Sequence, residues 1–148
     1  MKKWKNGMKK TLLIATLLVF AVWELLDLVI HGLLLAPLYA ATAQLWRPME
    51  EMKQGLMVAV TLIAAFTFTY VYFRFIGDKC AGTGWRYGLW FGAGAGISMG
   101  YGTYSVMPIP YFMALGWFLG TLVQALAGGW IIGLIIREPK PEPGEAAA

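Results

Sequence analysis

The chain of 148 residues is 59% hydrophobic and only 14% charged, with a net charge of +4, where an ordinary soluble domain is about a quarter charged. A solvated disordered chain is excluded by that composition, and a soluble single domain fits it poorly. A helical span takes about 20 residues, so four spans with short loops fill this length, and no water-soluble catalytic domain is expected beside them.

The N-terminal arm carries Lys2, Lys3, Lys5, Lys9 and Lys10 with no acidic residue among them. This is a membrane-topology signal, not a nucleic-acid footprint, and no nucleic-acid partner is expected. The first apolar segment, about 11–36, is longer than the 7–15 residues of a signal-peptide core and contains Glu24, Asp27 and His31. A retained helix is therefore expected, not a leader cleaved at Ala41-Thr42-Ala43.

Glu24, Asp27 and His31 are spaced three and then four apart, which puts them within about 60° of arc on one helix face. Counted from Thr11, Glu24 lies about 20 Å into the span and His31 near 30 Å. Ionisable groups at such depth are costly unless paired or wetted, so they are functional candidates. Three readings stay open. Asp27 and His31 form a static pair while a protonated Glu24 bonds Gln124 or a threonine; the three residues relay protons or cations; or they hold a metal or cofactor.

Beyond His31 come Pro37, Tyr39, Gln44, Trp46, Arg47 and Pro48, then Met49-Glu50-Glu51-Met52. Tyr39 and Trp46 suit a headgroup region. The stretch reads as a short interfacial helix in which Arg47 reaches Glu50 or Glu51. His31, Met49 and Met52 are the candidate ligands for a soft cation such as Cu(I), without an M-x-M ladder or a histidine cluster to support them. A haem would find one axial histidine and no C-x-x-C-H motif. No cofactor is predicted. The lone Cys80 excludes an internal disulfide.

The second segment is about 54–76 and the third about 84–105. In the third, Gly84, Gly88, Gly92, Gly96 and Gly100 recur every four residues, with Gly94 and Gly102 beside them. Such a row leaves a groove in which another helix backbone can lie close. The fourth segment, about 111–136, offers Gly116, Gly120, Gln124 and Gly128 in one row and Thr121, Ala125, Gly129 and Gly133 in the next. The short uncharged link from Ser105 to Pro110 favours an antiparallel hairpin of the last two segments. Packing within the chain is the first reading of the ladder, and a homo-oligomer interface the second. The tail, 137–148, alternates proline with charge and is expected to be disordered.

Ten of the twelve Lys and Arg residues fall in the arm, the second connection and the tail; Arg47 and Lys53 are on the other side. That bias predicts an all-α membrane protein: a single domain over 1–136, a bundle of four transmembrane helices, with N- and C-termini cytoplasmic. A multi-pass place in a cell inner membrane follows, with the lipid bilayer, a second copy or another membrane protein as partners.

No G-x-S-x-G, H-E-x-x-H or phosphate-binding glycine loop occurs, so an enzyme is not expected. The outline resembles small four-helix bacterial inner-membrane families of unknown function. The resemblance rests on His31-Gly32 through Pro37-Leu38-Tyr39 to Trp46, on Gly92 to Tyr104, and on Gly116-Trp117. It implies the fold and no activity. Small multidrug transporters are similar in having a glutamate in the first of four helices, here Glu24; Asp27, His31 and the charge bias depart from that pattern. The expected function is a non-enzymatic accessory or assembly bundle with a polar intramembrane site. The alternative is a small proton-coupled transporter or ion pathway using Glu24, Asp27 and His31.

Overall fold

The computed structural model describes residues 2–137, with side chains from residue 7 onward. Of the tail expected to be disordered, all but Arg137 lies outside the described residues. No strand occurs among the described residues. Helix α1 runs Lys2–Val29 and continues as a π turn, Ile30–Leu34. Helix α2 is Ala36–Ala41, and two 3-10 turns follow at Ala43–Leu45 and Met49–Glu51. Helix α3 is Gln54–Phe75, α4 is Ala81–Ile97 with its own π turn at Ser98–Gly102, and α5 is Tyr111–Ile135.

Local chemistry sets the breaks. Pro37 opens α2, and Leu35 closes the π turn by donating its N–H to the Ile30 carbonyl, so the first helix cannot run on through the proline. Cys80 caps α4, its sulfur accepting from the Thr83 N–H. Pro110, in extended backbone, caps α5. The rim expected as one interfacial helix is thus divided into α2 and two 3-10 turns, and no ion pair joins Arg47 to Glu50 or Glu51 among the described residues.

Three helical stretches are long and apolar enough to cross a membrane: Gly7–Leu34, Gln54–Phe75 and Tyr111–Ile135. Their outward faces are apolar, with Leu28 and Ile63 each about two-thirds exposed (64% and 65%), a surface suited to lipid and costly in water. Helix α4 is not among the three, since its glycines and tyrosines dilute its hydropathy.

The closest pairing is α4 against α5, and it is antiparallel: Gly84 meets Gly129 and Gly133, Gly88 meets Ala125, Gly96 meets Phe118, and Gly100 meets Ala114. Helix α1 lies against both α5 and α3. One core cluster, at the end where α3 stops and α4 starts, gathers Val19, Trp23, Phe68, Tyr72 and Ile132. The other, at the opposite end, gathers Ile30, Leu35, Ile109, Met113 and Trp117.

Helix α3 behaves differently in its two halves. Its buried residues, Ala65, Phe68, Thr69 and Tyr72, all lie in the second half, whereas residues 54–64 are exposed apart from a half-exposed Thr61. Aromatic rings separate the second half from α4: Phe68 touches Tyr87 and Phe91 at ring centroid distances of 4.8 and 4.9 Å, and Tyr72 touches Tyr87 at 5.5 Å. Past that wedge a vestibule of about 620 Å³ lies between Ala64 of α3, Phe91 to Thr103 of α4, Thr121 to Ala125 of α5, and Trp23 of α1.

Candidate functional site: a polar chain across three helices

The polar stripe of α1 is drawn into a chain of contacts that ends on α5. Gln124 donates from Nε2 to Asp27 Oδ1 at 2.8 Å. The same Asp27 oxygen lies 3.6 Å from His31 Nε2, a distance for ion pairing and too long for a hydrogen bond. On its other side His31 Nδ1 is 2.7 Å from the Tyr39 hydroxyl, and Trp117 donates from Nε1 to that same hydroxyl at 2.7 Å. One proton arrangement satisfies every partner. Trp117 donates to the phenol oxygen, the phenol donates to Nδ1, and the remaining ring proton sits on Nε2, facing the carboxylate.

Each member is placed by its backbone. The π turn carries His31, and the break at Leu35 turns the chain so that Tyr39, eight residues on, folds back toward it. In an unbroken α-helix those two residues would be about 12 Å apart along the axis. Trp117 and Gln124 are seven residues apart on α5 and share a face. Trp23 fixes Gln124 from both ends: the indole donates to the Gln124 backbone carbonyl at 2.7 Å, and the Gln124 side-chain nitrogen donates to the Trp23 backbone carbonyl at 3.3 Å. Burial raises the Tyr39 phenol above its ordinary range, and the bond from Trp117 opposes that rise.

Glu24 stands apart. It is half-buried, one turn before Asp27, and makes no hydrogen bond or ion pair among the described residues. Gln124, considered from the sequence as a partner for Glu24, bonds Asp27. Tyr39 and Trp46 are half-buried and pack on one another. Their rings meet edge to face at 5.3 Å, Trp46 lies 6.0 Å from Trp117, and its indole donates to Thr42 Oγ1.

Both ring nitrogens of His31 face partners, Met49 is exposed on a 3-10 turn, Met52 is partly exposed beyond it, and no group of three His, Cys, Asp or Glu residues is gathered among the described residues.

The glycine row of α4 is filled by α5 of the same chain. A Cβ on Gly84 would strike the Gly129 carbonyl oxygen, one on Gly88 the Ala125 oxygen, and one on Gly100 the Ala114 oxygen. On Gly92 it would come within 2.8 Å of the Ala125 Cβ, and on Gly96 within 2.8 Å of the Phe118 oxygen. Carbonyls thus sit where side chains would be, as close helix packing on small residues allows. The two small-residue rows of α5 face different neighbours. It is Ala125, Gly129 and Gly133 that meet α4, whereas Gly116 and Gly120 receive Leu35 and Ile30 from the α1 side and Gly128 receives Trp23. Two small-residue rows about 100° apart serve two neighbours, because α5 lies between α1 and α4.

No family model, no curated protein and no solved structure matches the chain.

Proposed function

We propose that this protein is a multi-pass inner-membrane bundle of four spans with both termini cytoplasmic, acting as a non-enzymatic accessory or assembly protein. In this reading α4 is the fourth span. Exposed Trp85 and Tyr104 are nineteen residues apart along it, and exposed Tyr111 and Trp130 are nineteen apart along α5. Each interval is about 28 Å of helix, close to the ~30 Å of a hydrocarbon core, with aromatic rings at both borders. Arg74, Lys79, Arg86 and Arg137 all fall toward the Trp85 and Trp130 end, which supports its placement in the cytoplasm.

Cys80 tests this sidedness. Its thiol is exposed, and the Thr83 hydroxyl at 3.3 Å holds it below the ordinary thiol range. A membrane-impermeant maleimide should therefore label inverted vesicles at neutral pH and spare intact cells; labelling of intact cells alone would reverse the topology.

The observation that carries the accessory role is the polar chain itself: Asp27 is tied to Gln124 of α5 and His31 to Tyr39 of α2, with Glu24 left outside the chain. Removing the Tyr39 hydroxyl leaves the Trp117 N–H and His31 Nδ1 without their partner, at about 1–3 kcal/mol. Tyr39→Phe should therefore lower the thermal midpoint in detergent or nanodiscs, and Asp27→Asn should lower it less, since an amide can still accept from Gln124. A second reading is favoured by one observation. Asp27 and His31 lie within ion-pair distance, and their side chains remain 37% and 39% exposed, so water can reach them as a proton relay requires. Proton flux in liposomes that is lost in Asp27→Asn and His31→Gln at unchanged stability would establish the relay and displace the accessory role.

A further inference from the structure

We infer that the vestibule is a binding site for a neutral, hydroxyl-bearing ring compound that enters from the membrane, with its ring between Trp23 and Phe91 and its hydroxyl on Gln124.

The first observation is an acceptor left over. Gln124 lines the vestibule, and its amide nitrogen serves two acceptors, the Asp27 carboxylate and the Trp23 carbonyl. A backbone carbonyl and an ionised carboxylate can only accept, which sets the orientation of the amide. Oε1 then remains as an acceptor without a partner among the described residues, able to take an O–H or N–H from a ligand.

The second observation concerns hydroxyls. Some helical threonines of this chain bond back to the carbonyl four residues earlier, as Thr11 does to Gly7 and Thr61 to Met57, whereas the fully buried Thr16 and Thr69 have no hydrogen-bond partner among the described residues. Ser98, Thr103 and Thr121, all lining the vestibule, likewise make no such bond among the described residues. Each can donate and accept. Ser98 also lies in the π turn of α4, an irregularity that recurs at functional sites.

Size and charge narrow the class. No charged residue lines the space, so an ionised head would be left unpaired. The volume of about 620 Å³ is within the ~300–1,000 Å³ of sites that hold drug-sized ligands. The splayed half of α3 leaves the side between α3 and α4 open at the level of Ala64, through which an apolar tail could extend into lipid. Aromatic side chains on two walls, one amide acceptor and three hydroxyls together describe a phenol or quinol better than an acyl chain, which would leave four polar groups unsatisfied.

The site shares Gln124 with the polar chain, but its occupancy does not depend on whether that chain is structural or conducting. The test is equilibrium dialysis of a short-chain alkylhydroquinone, its dimethyl ether and the matching alkane against the full chain in nanodiscs, with empty nanodiscs as the blank. The hydroquinone should bind saturably at one per chain, and the ether at least tenfold more weakly. Ala64→Trp, on an exposed position that faces the opening, should abolish binding at an unchanged thermal midpoint, and Thr121→Val should weaken it several-fold. Equal uptake of all three probes, uptake no greater than in empty nanodiscs, or full binding by Ala64→Trp would each overturn the proposal.

Discussion

Helix α4 has two neighbours and meets them by opposite means. Toward α5 it presents Gly84, Gly88, Gly92, Gly96 and Gly100, and the two backbones close until carbonyl oxygens fill the places of absent side chains. Toward α3 it presents Tyr87 and Phe91, whose rings against Phe68 and Tyr72 hold the helices apart. The seam tolerates no added atom. The gap is spanned by large groups that can shift, and it opens into a vestibule where they end. Where side chains are absent the geometry is fixed by backbone; where they are large it is fixed by their rotamers and is softer.

The largest expected effect breaks the seam. Gly88→Leu places a branched side chain against the Ala125 carbonyl, backbone that cannot move without separating the helices. A loss of more than about 4 kcal/mol, or failure to fold, is expected, read as aggregation or a collapsed thermal midpoint. Gly94→Ala is the matched control. A Cβ there meets nothing within 4 Å, and the better helix former should raise stability by up to about 1 kcal/mol. Equal damage from the two would show that glycine content, not the seam, is what matters.

On the gap side the corresponding change is mild. Tyr87 donates from its hydroxyl to the Phe68 carbonyl at 2.9 Å, a carbonyl also within reach of its own helix ladder. Tyr87→Phe keeps the ring contacts and should cost about 1 kcal/mol. Hydrogen exchange should rise in α3 and stay unchanged in the α4 and α5 seam. Faster exchange in the seam would mean that the two interfaces are one cooperative unit.

The same contrast explains what could be read in the chain before its fold was known. Apolar runs and their polar borders located the helices closely, 54–76 against Gln54–Phe75 and 111–136 against Tyr111–Ile135, because a span's length is set by the bilayer and its ends by proline and charge. A spacing of four marked the seam residues on α4, since a backbone contact has a strict period. The polar chain was legible only on α1. His31 and Tyr39 are joined through a π turn and a break at Leu35, which no fixed helical period describes. Trp117 and Gln124 do share a face of α5, a usable signal, but nothing in one helix says which face of another it meets. The vestibule was illegible for the same reason: it is made by what α3 does not touch.

The smallest expected effect sharpens the comparison within α3 itself. Thr69 is fully buried in the half that packs, and its Oγ1 has no hydrogen-bond partner among the described residues; Thr16, buried on α1, is alike. A buried hydroxyl that bonds nothing carries its desolvation cost without return. Valine has nearly the same shape, so Thr69→Val should stabilise by about 1 kcal/mol, seen as a small rise in thermal midpoint. If the packed half of α3 instead loses stability, the hydroxyl must find an acceptor in the membrane-embedded protein. The nearest class of acceptor is a helix carbonyl, the resting place that Thr61 takes one helix half away. A gain at Thr69 with no change for Thr61→Val would show that the two halves of α3 differ in packing and not in polar bonding.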